Sequence, residues 1–285
     1  MLFPLAFAPE VCIMTPMTND APKTGETGAP EGIPAATIII FRNAPDGGAP
    51  QVLMTVRSRN MAFAGGMAVF PGGRIDPADF ELGEKVANES NGALTTDEAA
   101  HQIGAVRETL EETGLALGLK GDITAKSAHE ARKLLEETKT LAPVLEAFGW
   151  ELDLDQIVPF ARWFPQNEKI PRVYDTRFYL ANLGTGEVDV SADHAENTRL
   201  FWVSAKGALD MAQTGEIKLI FPTRRNLERL ALFASFEDAR AQAEAIPVKT
   251  IIPKVDTKDG KPVLTILEDA GYPVTSELLE TVARA

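Results

Sequence analysis

The segment AVRETLEETGL, residues 105–115, places three glutamates and an arginine among small and apolar residues. On a helix over 97–113, at about 100° per residue, Glu108, Glu111 and Glu112 fall within an arc of roughly 100°. Ala99, Ile103, Val106 and Leu110 cluster on the opposite side, which therefore faces a core. Gly104 and Ala105 flank the acidic arc and leave it open. Close carboxylate pairs weaken a helix by a few tenths of a kcal/mol each, and Arg107, paired with Glu111 at i,i+4, offsets one charge of three. Several oxygen ligands on one rigid element are what a hard divalent cation requires. On these residues alone, a solvated acidic face is an equal reading.

The chain contains its own control. Residues 132–138, RKLLEET, nearly copy 107–113, RETLEET, but carry Lys133 in place of Glu108 and Lys139 in place of Gly114. An ammonium at the central position opposes a cation, so the second stretch reads as an ordinary charged helix. The stretch FPGG, residues 70–73, separates the two cases. Its tight glycine turn frees a backbone carbonyl, that of Gly72, for a metal site and lets a phosphate approach the main chain.

These residues need elements to hold them. ATIIIFR (36–42) and QVLMTVR (51–57) are strand-like and joined by the turn-rich APDGGAP, which predicts a hairpin. MAVFPGG (67–73) is a third short strand. Residues 77–94 read as a polar, irregular insertion. Thr95 with Glu98 forms a capping-box pattern at the start of the acidic helix, and Gly114 is its stop. Helices are expected at 127–137 and 141–150, within a second insertion over 118–157. Strands follow at 158–164, 176–183 and 198–204, then helices at 204–213, 222–234 and 236–245, with PVLTIL (262–267) a further strand-like run. Strands and helices mix without a βαβ rhythm, so the fold class is α+β with a mixed sheet. The expected organisation is a disordered segment over 1–33, a main domain over 34–235 and a helical extension of it over 236–285.

Composition narrows the partners. A chain of 285 residues, 45% hydrophobic and 24% charged, can bury a full core. Its formal net charge of -13 repels nucleic-acid backbones and anionic membranes, so no nucleic acid and no membrane are expected as partners. The only cysteine, Cys12, leaves no internal disulfide and fits a reducing, cytoplasmic compartment. The opening run MLFPLAFAPEVCIM is apolar but lacks a basic lead and is too short to span a bilayer.

Taken together, these motifs resemble the Nudix hydrolases, whose box can be written G-x5-E-x7-R-E-U-x-E-E-x-G-U, with U a bulky apolar residue. Arg107, Glu108, Glu111, Glu112, Gly114 and Leu115 match its second half, Thr109 stands at the first U, and Gly73 matches its opening glycine. Two departures stand out. Gly73 and Arg107 are 34 positions apart (107 − 73) where the box needs 14, so about 20 residues are inserted. Counting eight back from Arg107, Ala99 stands where the box has a glutamate, with Glu98 one position off. The interrupted box resembles the coenzyme A diphosphatase branch, as does LMTVRSRNMAFAGGMAVFPGG (53–73) through Leu53, Thr55, Arg57, Ser58 and Gly66, although Ala62 replaces a second arginine and Arg59 lies nearby.

The resemblance implies a Nudix-type α/β/α sandwich with helical insertions. It also implies hydrolysis of a diphosphate in a small nucleotide substrate, with Mg2+ or Mn2+ as cofactor. Glu108 and Glu112 would be the first metal ligands, helped by the Gly72 carbonyl. Glu111 would be a ligand or would orient water, and Arg107 would pair with Glu111 and keep the carboxylates aimed. Asp193 and Glu196 are candidates for an additional loop acid, Glu196 being the catalytic one. Gly73, Arg57, Arg59 and Arg74 would contact the substrate, while Trp163, Phe164 and Trp202 read as core. The leading substrate is coenzyme A or acyl-coenzyme A, giving 3',5'-ADP and 4'-phosphopantetheine. ADP-ribose, NADH or a dinucleoside polyphosphate is the alternative, and a nucleotide-sensing module without catalysis is a third reading. Homodimers are common in the family, and a homodimer is expected by that analogy.

Overall fold

The computed structural model describes residues 32–58, 64–166, 173–184 and 197–282. The hydrophobic runs form a mixed sheet, eight-stranded among the described residues. Its spine is β1 (Ile33–Arg42), which pairs in parallel with β8 (Tyr174–Asn182) from Ile33↔Tyr174 to Phe41↔Asn182. On its other side, β1 meets two strands in succession. Its first half pairs with β4 (Gly72–Arg74), and its end forms the expected hairpin with β2 (Gln51–Arg57) through Phe41↔Val52. The short β3 (Ala68–Val69) and β9 (Asn197–Ser204) pair with β2, while β7 (Val158–Trp163) continues the sheet beyond β8. Because β1 and β2 hydrogen-bond only near their shared turn, the glycine segment enters the sheet between them.

The alternation of β1 divides the core into two layers. Ala36, Ile38 and Ile40 face the layer that contains Ile103, Val106 and Leu110 of α2 (Thr96–Thr113). Ile39 and Phe41 face the other, filled by α5 (Ala205–Gln213), α6 (Phe221–Leu230) and α7 (Phe236–Ala245). The result is the expected α/β/α sandwich. Ile103, Val106 and Leu110 are fully buried, which contributes about 5–9 kcal/mol to seating α2.

Two expectations fail. The stretch 77–94 is not irregular: Pro77–Glu89 is helix α1, started by Pro77 and packed so closely on α2 that the Gly83 Cα faces the Ala100 backbone. Phe80, Leu82 and Val86 give it an apolar face against the α2 layer, and the Asp76-Pro77 start signal explains its onset. Among the described residues, the tail is helical only at its two ends. After α7 come β10 (Thr250–Ile251), which joins β7, and a separate sheet of β11 (Lys254–Lys258), β12 (Lys261–Thr265) and β13 (Ser276–Leu278), ending in α8 (Leu279–Val282). Asp259 and Gly260, both at positive φ, close the β11–β12 hairpin, the turn chemistry that favours a hairpin over a helix.

The insertion over 118–157 is helical as expected. It contains α3 (Ala125–Thr138) and α4 (Leu141–Phe148), closed by a two-stranded ribbon of β5 (Leu119–Lys120) and β6 (Glu151–Leu152). Among the described residues, no helix is long and apolar enough to cross a membrane.

Candidate active site

The glycine bend lies directly on the acidic face of α2. The Gly72 N–H donates to Glu112 Oε2 at 2.9 Å. A Cβ on Gly73 would fall 2.4 Å from the Glu108 carboxyl group, and one on Gly72 would fall 2.3 Å from the Ala36 carbonyl oxygen. Glycine is therefore needed at both positions for β4 to lie between β1 and the acids. Glu112 is 6% exposed, and the Glu108 and Glu111 side chains are 16% and 28% exposed.

Arg107 is buried at the centre of the arrangement, but its main partner is not Glu111. Its Nε and Nη2 donate to Asp79 at 3.0–3.2 Å, and Nη2 also donates to the Arg74 carbonyl at 2.8 Å. Nη1 donates to Glu108 Oε1 at 2.9 Å, with Glu111 farther away at 3.5 Å. Burial disfavours the guanidinium charge, yet Glu108, Asp79 and Asp76 outweigh it and hold the arginine above its ordinary pKa.

Asp79 was missed by counting back from Arg107. Counted forward, it is the sixth residue after Gly73, where G-x5-E places its acid. The insertion lies between that acid and the arginine, and α1 returns to bring the two together. Asp79 also accepts from the Asp76 N–H at 2.9 Å, so one carboxylate starts α1 and clamps Arg107. Glu98, the near-miss in the sequence count, does other work: it accepts from the Tyr179 hydroxyl at 2.9 Å and pairs with Arg177, tying α2 to β8. Only half of the expected capping box forms, with Thr95 Oγ1 accepting from the Glu98 N–H.

Burial pushes the Glu108 carboxyl up to about 8, with Glu112 and Glu111 adding to the rise and Arg107 opposing it. A carboxyl raised in this way tends to keep its proton near neutrality, and a cation bound beside it would favour the ionised form. Among the described residues, no three acid, histidine or cysteine side chains converge as a ready-made cage. Glu108 is turned to Arg107, Glu112 to Gly72, and Glu111 lies between Arg107 and Lys139. Mutually repelling carboxylates each take a local donor. The donor set still fits a hard divalent ion: oxygen ligands only, anionic in excess, one of them buried and proton-binding.

The remaining candidates separate. Arg57 is buried, 3% exposed, and Arg74 is half-buried beside the bend, its carbonyl engaged by Arg107. Trp163 is in the core, donating to the Tyr272 hydroxyl at 2.9 Å, and Trp202 is half-buried under Arg42. Arg59, Ala62, Asp193 and Glu196 lie outside the described residues. In the near-copy, Glu136 and Glu137 of α3 are exposed, as the control predicts.

A mixed sheet between helical layers, with a glycine bend seated on the acidic face of one helix, is the architecture of the Nudix-type α/β/α sandwich. No family profile matches the chain. The chain is similar to acyl-coenzyme A diphosphatase NUDT19 of Gallus gallus, 25% identical over 261 residues, covering 72% of this chain and 69% of that protein. It is also similar to nudix hydrolase 7 of Caenorhabditis elegans, 26% identical over 208 residues, covering 70% of this chain and 64% of that protein, just under two thirds of its length. Among solved structures it is similar to a NUDIX hydrolase from Alicyclobacillus acidocaldarius, with a TM-score of 0.62 and 26% identity over 74% of this chain and 96% of that one. The chain is thus similar in sequence to Nudix hydrolases and shares their fold.

Proposed function

We propose that this chain hydrolyses the diphosphate of coenzyme A or acyl-coenzyme A to 3',5'-ADP and the corresponding 4'-phosphopantetheine, with Mg2+ or Mn2+ as cofactor. The observation that carries this reading is the bend: Gly72 bonded to Glu112, and Gly73 closed on Glu108, beside a clamped Arg107. The similarity to a chicken acyl-coenzyme A diphosphatase supports the substrate class, and the single cysteine supports a cytoplasmic setting.

Glu108, Glu111 and Glu112 would hold the cation. Bound there, it would supply charge neutralisation for the diphosphate and a lowered pKa for the attacking water. Asp79 fixes Arg107, and Arg107 fixes Glu108, so the carboxylate nearest the bend is held in one orientation. The Gly72 N–H restrains Glu112 in the same way. With no side chain at Gly73, a phosphate can come close to the main chain. Hydrolysis adds one water across the anhydride: its oxygen bonds to phosphorus, and the bridging P–O bond breaks.

The test is turnover of coenzyme A, acyl-coenzyme A, ADP-ribose, NADH and diadenosine polyphosphates with Mg2+ or Mn2+. Release of 4'-phosphopantetheine from coenzyme A, lost in Glu112→Gln, is the expected result. Turnover of ADP-ribose or NADH alone would replace the substrate. Absence of any turnover in the wild type would leave a nucleotide-binding module.

A further inference from the structure

The end of α3 and the end of α2 are built alike. Gly114 closes α2 at φ 76, its N–H donating to the Leu110 carbonyl at 3.0 Å. Lys139, its counterpart in the near-copy, closes α3 at φ 60, its N–H donating to the Leu135 carbonyl at 2.8 Å. This left-handed conformation favours glycine and strains a lysine. Of the other non-glycine residues at positive φ among the described residues, Asn91 and Asp259 are tolerated types preceding glycines, and Ala64 lies in the turn before the FPGG strand. The backbone conformation therefore gives lysine no advantage over glycine at this cap, beyond the general suitability of a cation at a helix C-terminus.

Its side chain has a position instead. The α3 helix packs on the C-terminal end of α2, where Arg132 Nη2 donates to the Glu112 carbonyl at 3.4 Å. From there, Lys139 reaches to 4.0 Å from Glu111 Oε1, on the edge of the acidic arc. Lys139 is 70% exposed and Glu111 is half-buried, and at 4.0 Å a pair with one solvated partner contributes little to stability. Arg107, the other cation on Glu111, is buried and committed to Asp79. Lys139 is the cation of the pair that solvent, and therefore a substrate, can reach.

We propose that Lys139 is a phosphate-contacting residue of the substrate site, its ammonium binding an anionic oxygen of the substrate's diphosphate. This rests on the diphosphatase reading and adds to it a specificity-determining residue supplied by the helical insertion. Backbone strain retained at a position that faces a site is expected of a functional residue.

The full-length protein is compared with Lys139→Gly and Lys139→Arg in three measurements. Mn2+ binding is read by calorimetry, inorganic pyrophosphate binding to the Mn2+-loaded protein by the same method, and melting without metal by circular dichroism. In Lys139→Gly, pyrophosphate affinity should fall about tenfold, as for loss of one charge-assisted hydrogen bond. Mn2+ affinity should not weaken, Tm should rise by about 2 °C as strain is relieved, and Lys139→Arg should restore pyrophosphate binding. Unchanged pyrophosphate affinity in Lys139→Gly, or a drop matched by an equal loss of Mn2+ affinity or a lower Tm, overturns the proposal. Coenzyme A turnover separates the two readings. If the wild type is active and Lys139→Gly keeps both its KM and its pyrophosphate affinity, the Lys139 assignment fails alone. If the wild type hydrolyses nothing yet pyrophosphate affinity still falls tenfold, the activity fails and the anion contact stands.

Discussion

Replacing Asp79 by Asn removes the charge that holds Arg107 while nearly preserving shape. Both side chains are buried, 2% and 4% exposed, so solvent does little to screen the change. Breaking one partner of a buried ion pair costs about 3–5 kcal/mol. Arg107 keeps Glu108 and the Arg74 carbonyl, which places the loss at the lower end, about 3 kcal/mol. At roughly 2–4 °C per kcal/mol for a chain of this size, Tm falls by about 6–12 °C. Freed from Asp79, Arg107 turns its full charge on Glu108 and competes with a cation there, so Mn2+ affinity falls as well. Glu98→Gln is the control, because Glu98 contacts Arg177 and Tyr179 rather than Arg107; it leaves Mn2+ affinity unchanged. The assay is thermal melting with and without Mn2+, plus calorimetric Mn2+ titration of both variants. A loss below about 1 kcal/mol in Asp79→Asn, or a larger Mn2+ defect in Glu98→Gln, would show that the arginine is not held as described.

Other outcomes follow from the same site. Glu108 has a folded pKa of about 8 against an ordinary 4.5, so its contribution to stability is fully present below pH 4.5 and is lost as pH rises through 8. Denaturant melts of metal-free protein should show a decline across that window that Glu108→Gln flattens. Mn2+ binding at pH 7 should release about one proton, read from titrations in buffers of different ionisation enthalpy; no release would contradict the raised pKa. Gly73→Ala places a methyl 2.4 Å from the Glu108 carboxyl and should lower kcat/KM about 100-fold with the fold retained by circular dichroism; a change under threefold would remove the bend from the site. Tyr272→Phe deprives Trp163 Nε1 of its acceptor and Asn226 Oδ1 of its donor. It should cost about 2–3 kcal/mol in denaturant melts without altering Mn2+ affinity, since the contact lies in the sheet layer away from α2.

Much of the fold was legible because its signals are local. The 3.6-residue period of 97–113 placed Ile103, Val106 and Leu110 in the core and the three glutamates opposite them, and Gly114 marked the stop. The β1–β2 hairpin was readable from two β-branched runs around a glycine turn. Two elements hid behind polar composition. Helix α1 was signalled by Asp76-Pro77, but its apolar face is only Phe80, Leu82 and Val86. In the tail, the strand-like run 262–267 overlaps β12, but its partner β11 is exposed along its whole length, so no buried alternation marks the hairpin that turns on Asp259-Gly260.

The sequence by itself determined that an acidic helix face follows a glycine bend, because side-chain spacing and helical period act within a few turns of chain. Only the tertiary structure decided which acid clamps Arg107, how Glu108 and Glu112 divide between Gly73 and Gly72, and that Lys139 reaches Glu111. Those partners are 28 to 40 residues apart. Contacts at that range are set by how α1, α3 and strand β4 pack against α2, and packing selects among many pairings that local propensity leaves equal.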